Sequence, residues 1–191
     1  MAAHELILGG QRSGKSRCAE SRAAGWLSQP GRSAVLLATA LAGDEEMRAR
    51  IERHRIDRAA RVPGLSTVEV PFELPQAIRT HSAAEQLVVV DCLSLWLTNL
   101  LMPMPMPMQG PALDDTAFAA SVESLCEALA GASGRVVLVS NEIGLGLTPL
   151  TPEARRFVDE LGRLHQMIAA RCPTVVLMVA GIELPVKGGA A

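Results

Sequence analysis

The chain has no tyrosine, three phenylalanines and two tryptophans, so its core has to be built from Leu, Val, Ala, Ile and Met. Long apolar runs are missing as well. None approaches the ~20 residues that cross a bilayer, which argues against membrane insertion. No charged leader with a long apolar stretch precedes the first strand-like segment, and the expected compartment is the cytoplasm. Charge of one sign is also lacking. A formal net charge of −2 offers neither a basic field for nucleic acid nor a polybasic membrane anchor. Cys18, Cys92, Cys126 and Cys172 include no C-x-x-C pair, which points to reduced thiols rather than a disulfide framework or zinc site. Lysine is nearly absent: of 18 basic residues only Lys15 and Lys187 are lysine, the other 16 being arginine.

One of those two lysines sits in Gly9-Gly10-Gln11-Arg12-Ser13-Gly14-Lys15-Ser16, which satisfies G-x-x-x-x-G-K-[ST] at every fixed position. Glu5–Leu8 reads as a strand entering the segment, and residues 16–28 read as a helix leaving it. In that context the glycines let backbone N–H groups approach phosphate oxygens, and the helix N-terminus adds partial positive charge. Lys15 is placed to reach the β- and γ-phosphates, and the Ser16 hydroxyl to ligand Mg2+. The alternative is an ordinary glycine-rich turn, matched by chance on the order of once in a thousand such chains. Nucleotide binding is the expectation.

With 191 residues and no shift of composition, residues 1–191 are expected to form one α/β domain. Further strands are expected at Ala34–Ala38, Ser66–Val70, Leu87–Val90, Val136–Val139 and Val175–Val179, separated by helical stretches. Their apolar runs are continuous rather than alternating, the pattern of a parallel sheet covered on both faces. Residues 102–111, Met-Pro-Met-Pro-Met-Pro-Met-Gln-Gly-Pro, should form a loop, because alternate prolines remove backbone donors and forbid helix.

Three further features bear on chemistry. Asp91 ends the run Leu87–Val90, where open parallel sheets place their ligands, and an Asp there helps hold Mg2+; its other possible role is to cap the helix over Leu93–Leu101. Within the arginine-rich stretch 44–61, Met47, Ile51, His54 and Arg58 fall on one helical stripe, which puts His54 and Arg58 on the inward face. A histidine there is either a packed structural group or a nucleophile able to carry a phosphoryl or nucleotidyl group. Asn141-Glu142-Ile143-Gly144-Leu145-Gly146 follows a strand, and its glycines allow close approach to a ligand; the bland alternative is a flexible connection ended by Thr151 as N-cap and Pro152. His4, His81 and His165 have no partner at metal-ligand spacing and read as structural.

Taken together, the chain resembles the bifunctional adenosylcobinamide kinase/adenosylcobinamide-phosphate guanylyltransferases of cobalamin synthesis. The resemblance spans nearly the whole chain. It rests on Gly9–Ser16, Ile51-Glu52-Arg53-His54-Arg55 with Arg58, Thr67-Val68-Glu69, Val90–Leu101, Val139–Gly146 and Val179-Ala180-Gly181. It implies a three-layer RecA-like phosphate-loop fold and a homotrimer. Two reactions are implied: phosphorylation of adenosylcobinamide by ATP or GTP, then transfer of GMP from GTP to give adenosylcobinamide-GDP and pyrophosphate. By position, His54 would carry the GMP covalently, with nucleotide contacts from Gly9–Ser16, Ala38-Thr39-Ala40, Arg55-Ile56-Asp57-Arg58, Glu69 and Asp91. Where the family usually has Arg-Pro followed by a Trp, this chain has Arg58-Ala59 and then Arg61-Val62-Pro63-Gly64-Leu65; His165 stands where the family commonly has Asn. Two other readings remain open at this point: a plain small-molecule kinase with a structural His54, and a GTP-binding module without turnover.

Overall fold

The protein is described here from a computed structural model covering residues 3–43, 45–102 and 113–188. The Met-Pro segment lies outside the described residues from residue 103 onward. In chain order the elements are β1 (Glu5–Gly9), α1 (Lys15–Leu27), β2 (Ser33–Ala38), α2 (Glu45–Arg61), β3 (Leu65–Glu69), α3 (Leu74–His81) and β4 (Gln86–Asp91). There follow α4 (Leu93–Leu101), α5 (Asp115–Ala130), β5 (Val136–Asn141), α6 (Pro152–Arg171), β6 (Thr174–Val179) and β7 (Ile182–Lys187).

The strands form one sheet in the order β3-β2-β4-β5-β1-β6-β7, parallel throughout except for β7, which runs antiparallel to β6. Alternation along each buried strand divides the core in two. Leu6, Val35, Leu37, Val88, Val90, Val136 and Leu138 pack beneath α3, α4, α5 and α6. Ile7, Leu36, Leu87, Val89, Val137 and Val139 face α1, whose Cys18, Ala19 and Ala23 are small enough to let the helix lie close to the sheet. The continuous Val/Leu runs are therefore strands covered on both faces, as their sequence requires.

Helix starts follow their capping chemistry. Thr151 accepts the Ala154 N–H ahead of Pro152, and Asp114 accepts the Ala117 N–H at the start of α5. Helix α4 begins differently from the capping alternative considered for Asp91: its N-cap is Cys92, and no side chain caps it. Strand β3 lies one residue earlier than the apolar run suggests. Strand β7 is not among the strands expected from sequence; its residues are all exposed, and Pro185, which lacks a donor, is tolerated at such an edge. Its hairpin turn has a second role, because the Gly181 N–H donates to the Ser13 carbonyl at 2.9 Å and props the loop after β1.

The carboxyl edge of the sheet is thus a row of aligned strand ends. Glu69 pairs in register with Ala38, Ala38 with Asp91, and Gly9 with Asn141. Candidate functional residues from five distant parts of the chain meet there because parallel strands all point the same way.

Candidate active site

Gly9 ends β1 with φ 153°, and a Cβ at that position would stand 2.6 Å from both the Met178 carbonyl oxygen and the Ser13 Oγ. Only glycine fits. The backbone is left-handed at Arg12 (φ 56°) and Gly14 (φ 102°), which wraps the chain back toward the start of α1. Gly14 is the N-cap of α1 and supplies no side-chain cap, and no acidic residue occupies the first turn. The helix therefore presents uncapped N–H groups and the positive end of its dipole, the features that bind an anion. Lys15 is buried there, its ammonium 2.5 Å from the Gly10 carbonyl oxygen and 3.5 Å from Ser13 Oγ. Burial lowers its pKa, opposed by the nearby Cys92 and Asp91. A phosphate would add opposite charge directly against this ammonium, whose hydrogen-bond partners are the neutral Gly10 carbonyl and Ser13 hydroxyl.

Asp91, at the end of β4, lies near the Ser16 hydroxyl. Burial raises its carboxyl pKa, while Arg58, Ser16 and His54 pull it down and Glu20 pushes it up. The oxygen pair from Ser16 and Asp91 suits a hard divalent cation that shares its remaining positions with phosphate and water. Among the described residues there is no cluster of three or more His, Cys, Asp or Glu that could hold a metal by itself.

Thr39 sits deeper than its neighbours. The family resemblance implies a nucleotide contact, but the residue is fully buried and its polar groups are committed inside the protein. Its hydroxyl donates to the Cys92 carbonyl at 2.7 Å and accepts the Cys92 N–H at 2.9 Å. Its N–H donates to the Asp91 carbonyl, and its own carbonyl accepts from Asn99 Nδ2 at 2.8 Å. Thr39 thus clamps the backbone that carries Asp91, while its half-buried neighbours Ala38 and Ala40 line the edge beside it.

Helix α2 divides into two parts. Arg58 is buried, with Nη1 donating to Thr67 Oγ1 at 3.2 Å and Nε 3.8 Å from Glu20, too far for a hydrogen bond. Its Nε has no hydrogen-bond partner. Glu20 is instead held by Arg61, at 2.7 and 3.2 Å. One turn earlier His54 is exposed, contrary to the inward placement that periodicity suggests. The helix meets the body through its last turn and Val62, so the stripe that is buried at Arg58 opens to solvent at His54. The ring nevertheless lies within electrostatic reach of Asp91. Arg55, Ile56 and Asp57 also face solvent, where Arg55 approaches Glu52 and Asp57 approaches Arg61, each at 3.9 Å. Glu69 is exposed at the end of β3.

The segment Asn141–Gly146 singled out in the sequence has a partnership that sequence reasoning misses. Glu142 donates its N–H to the Gly9 carbonyl at 2.9 Å, and its carboxylate accepts the Gly144 N–H at 2.6 Å. The other carboxylate oxygen is 3.5 Å from Nδ1 of His165, whose Nε2 is 2.8 Å from the buried Ser140 hydroxyl. No spacing rule links residues so far apart in sequence; only the docking of α6 beside β5 unites them.

Comparison with known proteins bears on this arrangement. The family model described as cobinamide kinase / cobinamide phosphate guanyltransferase matches residues 5–186. The bifunctional adenosylcobalamin biosynthesis protein CobP of Pseudomonas aeruginosa is 46% identical over 185 residues, covering 96% of this chain and 97% of that protein. The bifunctional adenosylcobalamin biosynthesis protein CobU of Escherichia coli is 35% identical, with 95% of this chain and 98% of that protein covered. Among solved structures, the flagellar accessory protein FlaH from Methanocaldococcus jannaschii superposes with a TM-score of 0.51 at 12% identity, covering 98% of this chain and 81% of that one. That last likeness concerns the fold alone.

Proposed function

The chain belongs to the cobinamide kinase / cobinamide phosphate guanyltransferase family, and from that premise we propose that both reactions use the phosphate-loop site, with His54 as the carrier of GMP. The enzyme is a cobinamide kinase and cobinamide phosphate guanylyltransferase of adenosylcobalamin synthesis. The observation that carries the site assignment is the convergence of the buried Lys15 ammonium, the uncapped start of α1 and the Ser16–Asp91 pair at one edge of the sheet.

In this reading the backbone of Gly9–Ser16 cradles the triphosphate of ATP or GTP, and Lys15 neutralises its β- and γ-oxygens. Ser16 and Asp91 would hold Mg2+, which supplies charge neutralisation along the polyphosphate when bound. Arg58, with an unpartnered buried Nε, offers a further donor to phosphate. Ala38, Ala40 and Glu69 line the edge that the nucleoside would occupy.

For phosphorylation, the hydroxyl of cobinamide attacks the γ-phosphorus and a nucleoside diphosphate leaves. For guanylyl transfer, an unprotonated nitrogen of His54 attacks the α-phosphorus of GTP and pyrophosphate leaves with the bonding electrons. A phosphate oxygen of cobinamide phosphate then displaces His54, giving the GDP derivative and restoring the imidazole. Exposure suits this role, because a carrier histidine has to meet two successive substrates. We further propose a homotrimer, supported by the apolar residues Ile182, Leu184 and Val186 exposed along the β7 edge.

The test is incubation with α-labelled GTP and magnesium, followed by denaturing electrophoresis, beside His54→Ala. Acid-labile, base-stable label on the wild type and none on the variant is expected. A wild-type chain that binds GTP but takes no label would leave a kinase with a structural His54.

A further inference from the structure

Phosphorylation requires a group to take the proton of the attacking hydroxyl, and Asp91 is assigned with Ser16 to Mg2+ in the reading above. We propose that Glu142 is that proton acceptor, with His165 as the residue that positions it. The inference rests on the reading that phosphoryl transfer occurs at the phosphate loop.

Placement is the first argument. Strand β5 lies between β4, which ends in Asp91, and β1, which ends at the loop. Asn141 stands opposite Gly9 in register, and the next N–H, that of Glu142, bonds the Gly9 carbonyl at 2.9 Å. Glu142 is therefore the first residue beyond the sheet edge, beside the residue that opens the phosphate loop. Its side chain is 22% exposed, which leaves the carboxylate reachable by an incoming substrate.

The second argument is the way the carboxylate is held. Oε1 accepts the Gly144 N–H at 2.6 Å, and Oε2 has only the long 3.5 Å contact with His165 Nδ1. Oε2 is thus oriented but keeps lone pairs free to take a proton. His165 is buried, and desolvation lowers its pKa, with Glu142 the charged group that opposes the shift. The ring is neutral near pH 7. An ionised carboxylate only accepts hydrogen bonds, so Nδ1 carries the ring hydrogen and Nε2 accepts from the Ser140 hydroxyl at 2.8 Å. Ser140 is fully buried, so this chain of hydrogen bonds anchors the ring from the core outward. His165, read from sequence as merely structural, thereby acts on the chemistry through Glu142.

The step balances. The hydroxyl O–H bond breaks and its proton passes to Glu142 Oε2. The oxygen bonds the γ-phosphorus, the bond from that phosphorus to the β–γ bridging oxygen breaks, and the electron pair leaves on the nucleoside diphosphate. Glu142 returns its proton to solvent after product release.

Steady-state phosphorylation of adenosylcobinamide by the full chain tests the proposal in Glu142→Gln, Glu142→Ala, His165→Asn and His165→Leu. Removal of a general base predicts a fall in kcat of about 100-fold or more for Glu142→Gln, with the nucleotide KM within about twofold of wild type. Added formate should restore part of the activity of Glu142→Ala, a response that a structural role does not produce. His165→Asn, which keeps an N–H donor, should stay within about threefold of wild type, and His165→Leu should lose about tenfold in kcat. A Glu142→Gln enzyme within threefold of wild type overturns the proposal, as does a rise in nucleotide KM that accounts for the loss. Lys15→Met separates the two levels of argument: if it is inactive while Glu142→Gln is fully active, only the base assignment fails. If Lys15→Met phosphorylates normally, the phosphate-loop reading itself fails.

Discussion

Thr39→Val replaces one buried oxygen with a methyl group of similar volume, at the clamp beneath Asp91. In the wild type that oxygen accepts the Cys92 N–H at 2.9 Å and donates to the Cys92 carbonyl at 2.7 Å. The carbonyl keeps a second partner in the variant, since the Trp96 N–H reaches it at 3.1 Å. The Cys92 N–H loses the acceptor it has in Thr39, at a residue only 7% exposed. An orphaned buried donor costs about 1–3 kcal/mol, and the lost hydroxyl–carbonyl bond about 1 kcal/mol more. The expected loss is therefore about 2–4 kcal/mol, or roughly 5–15 °C in Tm for a chain of this size. Thr39→Ser keeps both hydrogen bonds and gives up one buried methyl, worth about 1 kcal/mol. Urea unfolding should rank wild type above Thr39→Ser and Thr39→Ser above Thr39→Val. A Thr39→Val protein within 0.5 kcal/mol of wild type would refute the clamp and return Thr39 to the nucleotide.

Other perturbations address the loop and the core. Lys15→Ala removes the buried ammonium of the loop and should weaken GTP binding by about 10- to 100-fold in equilibrium titration, the range of a charge-assisted hydrogen bond. Gly9→Ala forces a side chain into a φ of 153° and to 2.6 Å from two oxygens, and should cost about 2–4 kcal/mol in denaturant unfolding. Gly25→Ala, with nothing within 4 Å of the added carbon, should be neutral or stabilising by up to about 1 kcal/mol. His4 gives a pH dependence: its Nε2 pairs with the Leu129 carbonyl and its Nδ1 with the Val136 N–H, which is a donor, so protonation destroys one bond. Burial lowers its pKa from 6.5 in the folded state. The stability that this represents is complete above pH 6.5 and is lost as pH falls from there through the folded value, with a limiting slope of about 1.4 kcal/mol per pH unit. NMR titration of the His4 ring should give a midpoint below 6.5, and a midpoint at or above it would contradict the assignment.

Much of this architecture is written in local pattern. The runs Leu87–Val90 and Val175–Val179 are too short and too β-branched for anything but covered strands, and the phosphate-loop residues carry their own geometry. What pattern does not convey is how firmly an element is held. Periodicity assigns His54 and Arg58 to one stripe of α2, yet His54 is exposed and Arg58, in the last turn, is buried. Pattern is equally silent on Thr39, for which the family resemblance implies a ligand contact while its bonds run inward to Cys92 and Asn99. Strand β7 is masked in the sequence by Pro185, which interrupts the short alternation of Ile182, Leu184 and Val186. The contact between Glu142 and His165 depends on α6 docking beside β5, which no residue type announces.

The central claim is that His54 carries GMP at the phosphate-loop site. Its most direct test is tandem mass spectrometry of peptides from enzyme incubated with GTP and magnesium and kept at alkaline pH. The account predicts a GMP adduct on the peptide containing His54, localised to that imidazole. An adduct on another residue, or none from enzyme shown to bind GTP, would contradict it.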